Sequence, residues 1–340
     1  GTAVALPCAA FAQAPAATAT QSAKATRLNA MYEQYWEELL KLNPLQATFQ
    51  GDARYNDQLP NTMSAQYRQQ MHEFNTRWLK QVKEAGRDGL TGQDLLSFEI
   101  FVRDREDSLE AEKFPTWQQP INQFYNFAAT FVQLGSGTGA QPFKTVQDYD
   151  NWLKRAAQAP VLFDQAIANS REGVGNGVVQ PRALMVKVIP QLDALIKDKA
   201  EDTLFWGPIK NFPADFSDAD KQRLTKQYRQ LIGAQLMPAY RELRTFVADE
   251  YLPKTRATSG LDALPNGAAW YAFNARNSTT TDLTPAQIHQ IGLDEVKRIH
   301  GQIDGVIKQV GFKGSRQDFF KFMQNDPRFT FADEPALLAY

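Results

Sequence analysis

Apolar residues in this chain recur at three- and four-residue intervals in one segment after another, a spacing that buries one face of a helix but not of a strand, whose side chains alternate every two residues. From about Ala23 to Leu42 that face is Leu28, Met31, Tyr32, Tyr35, Leu39 and Leu42, and Asn43-Pro44 closes it. Ser64 to about Ala85 repeats the rule with Tyr67, Met71, Phe74, Trp78 and Val82 before Gly86. Thr91 with Asp94 opens a third helix through Leu95, Phe98, Phe101, Val102 and Leu109, which Pro115 stops. The expected fold class is mainly α, a multi-helix, bundle-like scaffold.

The rest of the chain extends that pattern. Trp117 to Leu134, apolar on most sides, reads as a buried helix, and Gly135-Ser136-Gly137-Thr138-Gly139 as a loop. Thr145 with Asp148 starts a helix to about Arg171, and Gly173, Gly175 and Gly177 break the chain before Pro181. A helix from Pro181 to Lys199 is expected to bend at Pro190, and one from Ser217 to about Tyr251 at Pro238, since each proline removes an internal N–H. The turn Phe205-Trp206-Gly207-Pro208 is either a contact surface or a core plug. Ala268 to Phe273 is the one stretch that reads as a strand, so at most a small β element is expected near 268–273.

Thr284, Pro285 and Gln287 together mark a helix start. The hydroxyl caps an orphan N–H, proline needs no donor in the first turn, and glutamine reaches back. Ile288, Ile291, Val296, Ile299, Ile303, Val306, Ile307 and Val310 then form one stripe, expected to be buried, until Gly311 ends the helix. Ser315 with Asp318 caps a short helix, and Pro335 begins another that the last residue cuts.

Composition narrows the functional classes. The 340 residues are 43% hydrophobic and 22% charged, enough apolar matter for one large core or two ordinary ones. With 37 Lys and Arg against 38 Asp and Glu the net charge is -1, which gives no electrostatic reason to expect a nucleic-acid partner. No apolar run reaches the 18 or so residues of a transmembrane segment. Ala3 to Phe11 resembles the end of a secretory signal, a remnant covering residues 1–12, followed by a flexible N-terminus at 13–25; the alternative is an alanine-rich tail. A periplasmic or secreted location follows from the signal reading. Cys8, the single cysteine, excludes an intrachain disulfide, and Pro7 before it argues against lipid attachment there.

Several chemistries lack their residues. The glycine cluster at 135–139 has neither the preceding strand nor the lysine of a phosphate loop, and no Gly-x-Ser-x-Gly elbow occurs. The acidic run from Asp104 to Glu112 reads as a solvated helix face rather than a glycosidase pair. His72 beside Glu73 reads as a surface pair. His289 and His300, eleven residues apart on one helix, are separated by about 16 Å of axial rise, too far to share one ion.

The wording of Thr279 to Ile299 closely resembles the bacterial domain-of-unknown-function 885 family, many of whose members are exported proteins or lipoproteins and which is grouped with zinc metallopeptidases. Gly260-Leu261, Leu264-Pro265-Asn266-Gly267, Trp270-Tyr271, Gly311-Phe312 and Asp326-Pro327-Arg328-Phe329 support the resemblance, as do Asn43-Pro44, Ala47-Thr48, Gly51-Asp52 and Arg54-Tyr55 earlier. It spans roughly residues 31–340. The resemblance implies peptide hydrolysis by zinc on a His-Glu-x-x-His helix, with the glutamate as general base and a later acidic residue as third ligand. This sequence has no such motif, so no catalytic or metal residue is expected in it, and residues 26–340 are expected to be the helical N-terminal part of a larger metallopeptidase-like domain. By the same resemblance Trp270, Tyr271 and Arg276 are the candidate substrate-binding residues, as apolar wall, hydrogen-bond donor and carboxylate partner for an extended peptide paired on an edge strand. The other class is an exported all-helical binding protein with an aromatic surface around Phe114 to Phe131 and Phe205 to Phe216.

Overall fold

The computed structural model describes residues 23–340, so the signal remnant, Cys8 and most of the flexible N-terminus lie outside the described residues. The described chain is all-helical: it holds no β-strand, and a single isolated bridge joins Pro181 to Arg256. The chain divides into two compact units, one ending at Pro265 and the other formed by Asn266–Tyr340.

In the first unit α1 (Ala23–Leu42) leads through Asn43, whose side chain accepts from Gln46 N, into α2 (Pro44–Phe49). Residues 23–25, assigned to the flexible tail, are thus the first of α1, and Ala25 is buried. The long helices α3 (Ala65–Ala85) and α4 (Gly92–Ala111) then form an antiparallel pair. Leu28 and Ala25 of α1, Val82 of α3, Leu90 of the connection that follows and Phe98 of α4 make a small apolar core, with Tyr35 ringed by Phe74 at 5.0 Å and Phe101 at 4.9 Å.

The main core follows. It is built from α5 (Phe127–Leu134), α6 (Val146–Ala156), α7 (Ala159–Asn176), α8 (Arg182–Leu195), α9 (Gly207–Lys210), α10 (Asp218–Leu231) and α11 (Met237–Thr245). Trp152 of α6 stacks on Phe131 of α5 at 5.1 Å, and Phe205 and Trp206 are buried beside them, so that turn is a core plug. Burying a side chain of this size contributes about 1.5–3 kcal/mol. One π turn, Ile232–Leu236, sits immediately before Met237-Pro238, where the missing proline N–H leaves the regular ladder one donor short.

The expected helix at 117–134 is broken. Thr116–Gln118 is a single 3-10 turn, the chain is irregular around Pro120, and α5 starts only after Asn126, whose side chain accepts from Ala129 N. Proline removes a donor and the two asparagines satisfy turn N–H groups instead: Asn122 Oδ1 accepts from Phe124 N and Tyr125 N. Conversely α7 runs past Gly173 and Gly175 and ends at Gly177, which takes the left-handed cap at φ 73°.

A fully buried arginine fixes the segment after α2. Arg155 of α6 donates to Tyr55 O, to Gln58 O at 3.0 Å, to Thr48 Oγ1 at 2.8 Å and to Gln141 Oε1 at 2.7 Å. No carboxylate touches it, and burial pulls its pKa down to about 10. Three of those acceptors, on Thr48, Tyr55 and Gln58, tie residues 48–58 to the main core.

The second unit contains α12 (Gly267–Thr279), α13 (Pro285–Gln309), α14 (Arg316–Asn325) and α15 (Glu334–Ala339). The small β element expected near 268–273 is therefore helix. Asn266 takes the left-handed conformation that launches it, and Ala268, Ala269, Ala272 and Ala275 are strong helix formers around Trp270, Tyr271 and Phe273. The capping boxes Thr284/Gln287 and Ser315/Asp318 form as their spacing requires.

Candidate functional site

Trp270, Tyr271 and Arg276 all lie on α12 and do not converge. At about 100° per residue, neighbours 270 and 271 point to different sides and 276 lies about 140° from 271. Trp270 is buried, Tyr271 is 53% exposed, and the Arg276 guanidinium sits 5.6 Å from the Phe273 ring. With no strand here, substrate pairing on a sheet edge has no backbone to use.

The histidines do not gather either. His289 and His300 are exposed on α13, and His72 pairs with Glu112 at 2.6 Å rather than with its neighbour Glu73. Among the described residues no group of three His, Cys, Asp or Glu side chains is arranged to hold a metal ion. The described residues therefore do not fit the zinc that the resemblance implies.

Two concavities stand out, one in each unit. In the first unit a cleft of about 650 Å³ opens between α3 and the end of α4. One face of α3 supplies Arg68, Met71, His72 and Asn75, spaced to share one side of a helix. Ser108 and Ala111 of α4 with Glu112, its C-cap, form the facing wall, and Phe114 and Trp117 complete it. The acidic run on α4 is not simply solvated. It is tied to α3 by His72–Glu112 and Lys83–Glu106, and by Arg105, which donates to Asn75 Oδ1 at 3.0 Å and to Tyr35 Oη of α1.

Arg68 is the distinctive group of this cleft. Its guanidinium lies 3.9 Å above the Trp117 ring and donates to Met63 O at 2.9 Å. Partial burial lowers its pKa, against which the charge of Glu172 acts as the smaller influence. It makes no ion pair with any described residue.

In the second unit a groove of about 780 Å³ lies between α13 and α14, lined by residues such as Ile299, Val306, Phe312, Phe319, Phe322 and Met323. The α13 stripe expected to be buried is mostly open: Ile307 is its single buried residue, whereas Ile291 and Val296 are 50% exposed and Val310 60%. Contiguous apolar surface of this kind marks a place where polypeptide or ligand sits.

The aromatic surface expected around 205–216 is core instead, since Phe205, Trp206, Ile209 and Phe216 are all buried. Around 114–131 only the loop tip, Phe124 and Tyr125, is widely exposed, while Phe114, Ile121 and Phe131 are buried. That tip borders an apolar cleft of about 290 Å³ with Leu45, Phe49 and Phe127 in its lining.

The all-helical architecture agrees with comparison to other proteins. The model of the family described as bacterial protein of unknown function, DUF885, matches residues 44–340, and the chain belongs to that family. A solved structure described as "the putative lipoprotein from Colwellia psychrerythraea" shares the fold with a TM-score of 0.76 over 94% of this chain, at 20% identity. This chain spans only 57% of that protein's length. No curated protein matches it.

Proposed function

We propose that this chain is the helical scaffold of an exported zinc-dependent peptidase, supplying cleft walls for a peptide substrate while the metal is held by residues outside it. The observation that carries this reading is the uncovered apolar face of α13 and α14 within the stretch that resembles the metallopeptidase family. A helix capped at both ends, yet apolar and solvent-facing along its stripe, is built to receive another helix. The Colwellia psychrerythraea protein is longer than this chain, and a segment of the same polypeptide following α15 is the proposed occupant.

An exported location is the companion proposal. It rests on the signal-like start and on the description of that structural relative as a lipoprotein. No described helix is long and apolar enough to cross a membrane. Fractionation of cells producing the protein from its own gene, followed by immunoblotting, tests it: recovery outside the cytoplasm is expected, and full retention with a cytoplasmic marker contradicts it.

Zinc analysis and a peptide-hydrolysis assay test the scaffold reading on this chain and on the product of its complete reading frame. The longer product is expected to carry one zinc and cleave peptides, and this chain neither. Hydrolysis or stoichiometric zinc in the short chain overturns it.

A further inference from the structure

We infer that the cleft between α3 and α4 binds a short peptide by its C-terminal carboxylate, with Arg68 as the carboxylate partner and Asn75 as a donor further along the ligand. The site lies wholly in the first unit and does not depend on the peptidase reading.

Arg68 forms no ion pair with a described residue, and the charge of Glu172 acts on it only as the smaller influence beside burial. Trp117 holds its guanidinium flat from one face, and Met63 O accepts from one of its two terminal nitrogens. The remaining N–H groups of the fork match the two oxygens of a carboxylate. Lys would not replace it, because an ammonium neither stacks on the indole nor presents parallel donors.

Asn75 gives the second, independent observation. It is 5% exposed, its Oδ1 is taken by Arg105, and its Nδ2 donates to no described residue although the side chain lines the cleft. An amide N–H without a protein acceptor is left to donate to a ligand in the cleft. An acceptor such as a peptide carbonyl satisfies it.

The distance between these groups selects the ligand. Arg68 and Asn75 are seven residues apart on one helix face, about 10 Å of axial rise. No single carboxylate touches both, whereas about three residues of extended peptide cover that span. Between them Glu112, held by His72, offers an acceptor for a peptide N–H, and Met71 and Phe114 offer apolar contact to a side chain. Glu112 also disfavours a ligand with a second negative charge at mid-cleft.

Calorimetric titration of this chain with acetyl-Ala-Ala-Leu, as free acid and as C-terminal amide, tests the assignment. The acid is expected to bind at least about tenfold more tightly than the amide, the difference that one charge-assisted bidentate contact produces. Arg68→Gln should remove that preference and Arg68→Lys should restore only part of it, each at an unchanged helical circular dichroism spectrum. Should Arg68→Gln fail to fold, Ser108→Trp, which fills the cleft from a half-buried position on α4, serves as the second variant and should abolish binding of the acid. Equal binding of acid and amide, no saturable binding of the acid, or inorganic phosphate competing as well as the peptide acid each overturn the proposal.

Discussion

Arg155 carries its charge into the main core without a carboxylate, and the segment from Thr48 to Gln58 depends on it. Arg155→Met keeps much of the bulk but leaves four acceptors without their donor, the Thr48 and Gln141 side chains among them buried, at a cost of about 3 kcal/mol or more. A fall in the urea midpoint, followed by tryptophan fluorescence, measures this, and a wild-type midpoint contradicts it. Gly135 makes a sharper test of packing. A Cβ there would lie 2.1 Å from the buried Trp152 ring, so Gly135→Ala is expected to destabilise by about 1–3 kcal/mol. At Gly292, on the open side of α13, nothing lies within 4 Å, and Gly292→Ala is expected to be neutral or stabilising by up to about 1 kcal/mol. Parallel thermal melts of both variants decide. The glycine cluster at 135–139 thus has a structural explanation: Gly135 admits Trp152, and Gly137 turns the chain at φ 88°.

At the scale of elements, what was legible in the sequence was local. Thr145/Asp148, Thr284/Gln287 and Ser315/Asp318 all form capping boxes because cap and partner are three residues apart and need no tertiary context. Thr284→Ala is expected to cost about 1 kcal/mol in the second unit, read as earlier fraying of α13 by amide hydrogen exchange; unchanged protection of its first turn contradicts this. What was illegible was non-local. The aromatics of 268–273 suggested a strand, yet the intervening alanines and the left-handed Asn266 make a helix. The stripe of α13 was identifiable as apolar, but spacing alone does not tell what covers it. The α3 face with Arg68, His72 and Asn75 was readable by its spacing, whereas Glu112, forty residues away, and Trp117, beyond a proline, were not.

At the scale of the whole molecule, the buried tyrosines set the alkaline limit. Burial pushes the Tyr149 phenol up to about 12 and also raises Tyr228, Tyr240 and Tyr251. These groups keep their protons in the folded state while the unfolded chain loses them above its ordinary pKa of 10.0, so stability present below pH 10.0 falls as pH rises towards about 12. Arg155, whose folded pKa is depressed to about 10, acts in the opposite sense together with Arg68 and Arg256, but Tyr32, Tyr35 and Tyr67 are raised as well, so seven tyrosines stand against three arginines. The melting temperature should drop across that window, and a constant value contradicts the assignment. The same scale holds the functional proposal, that this all-helical chain presents walls and an open apolar face while a metal is held by residues outside it. Metal analysis by mass spectrometry of the complete gene product beside this chain, both dialysed against a weak chelator, tests it most directly. One zinc per molecule in the longer product and none in this chain is the expected result; one tightly held zinc in this chain, or none in the longer product, contradicts it.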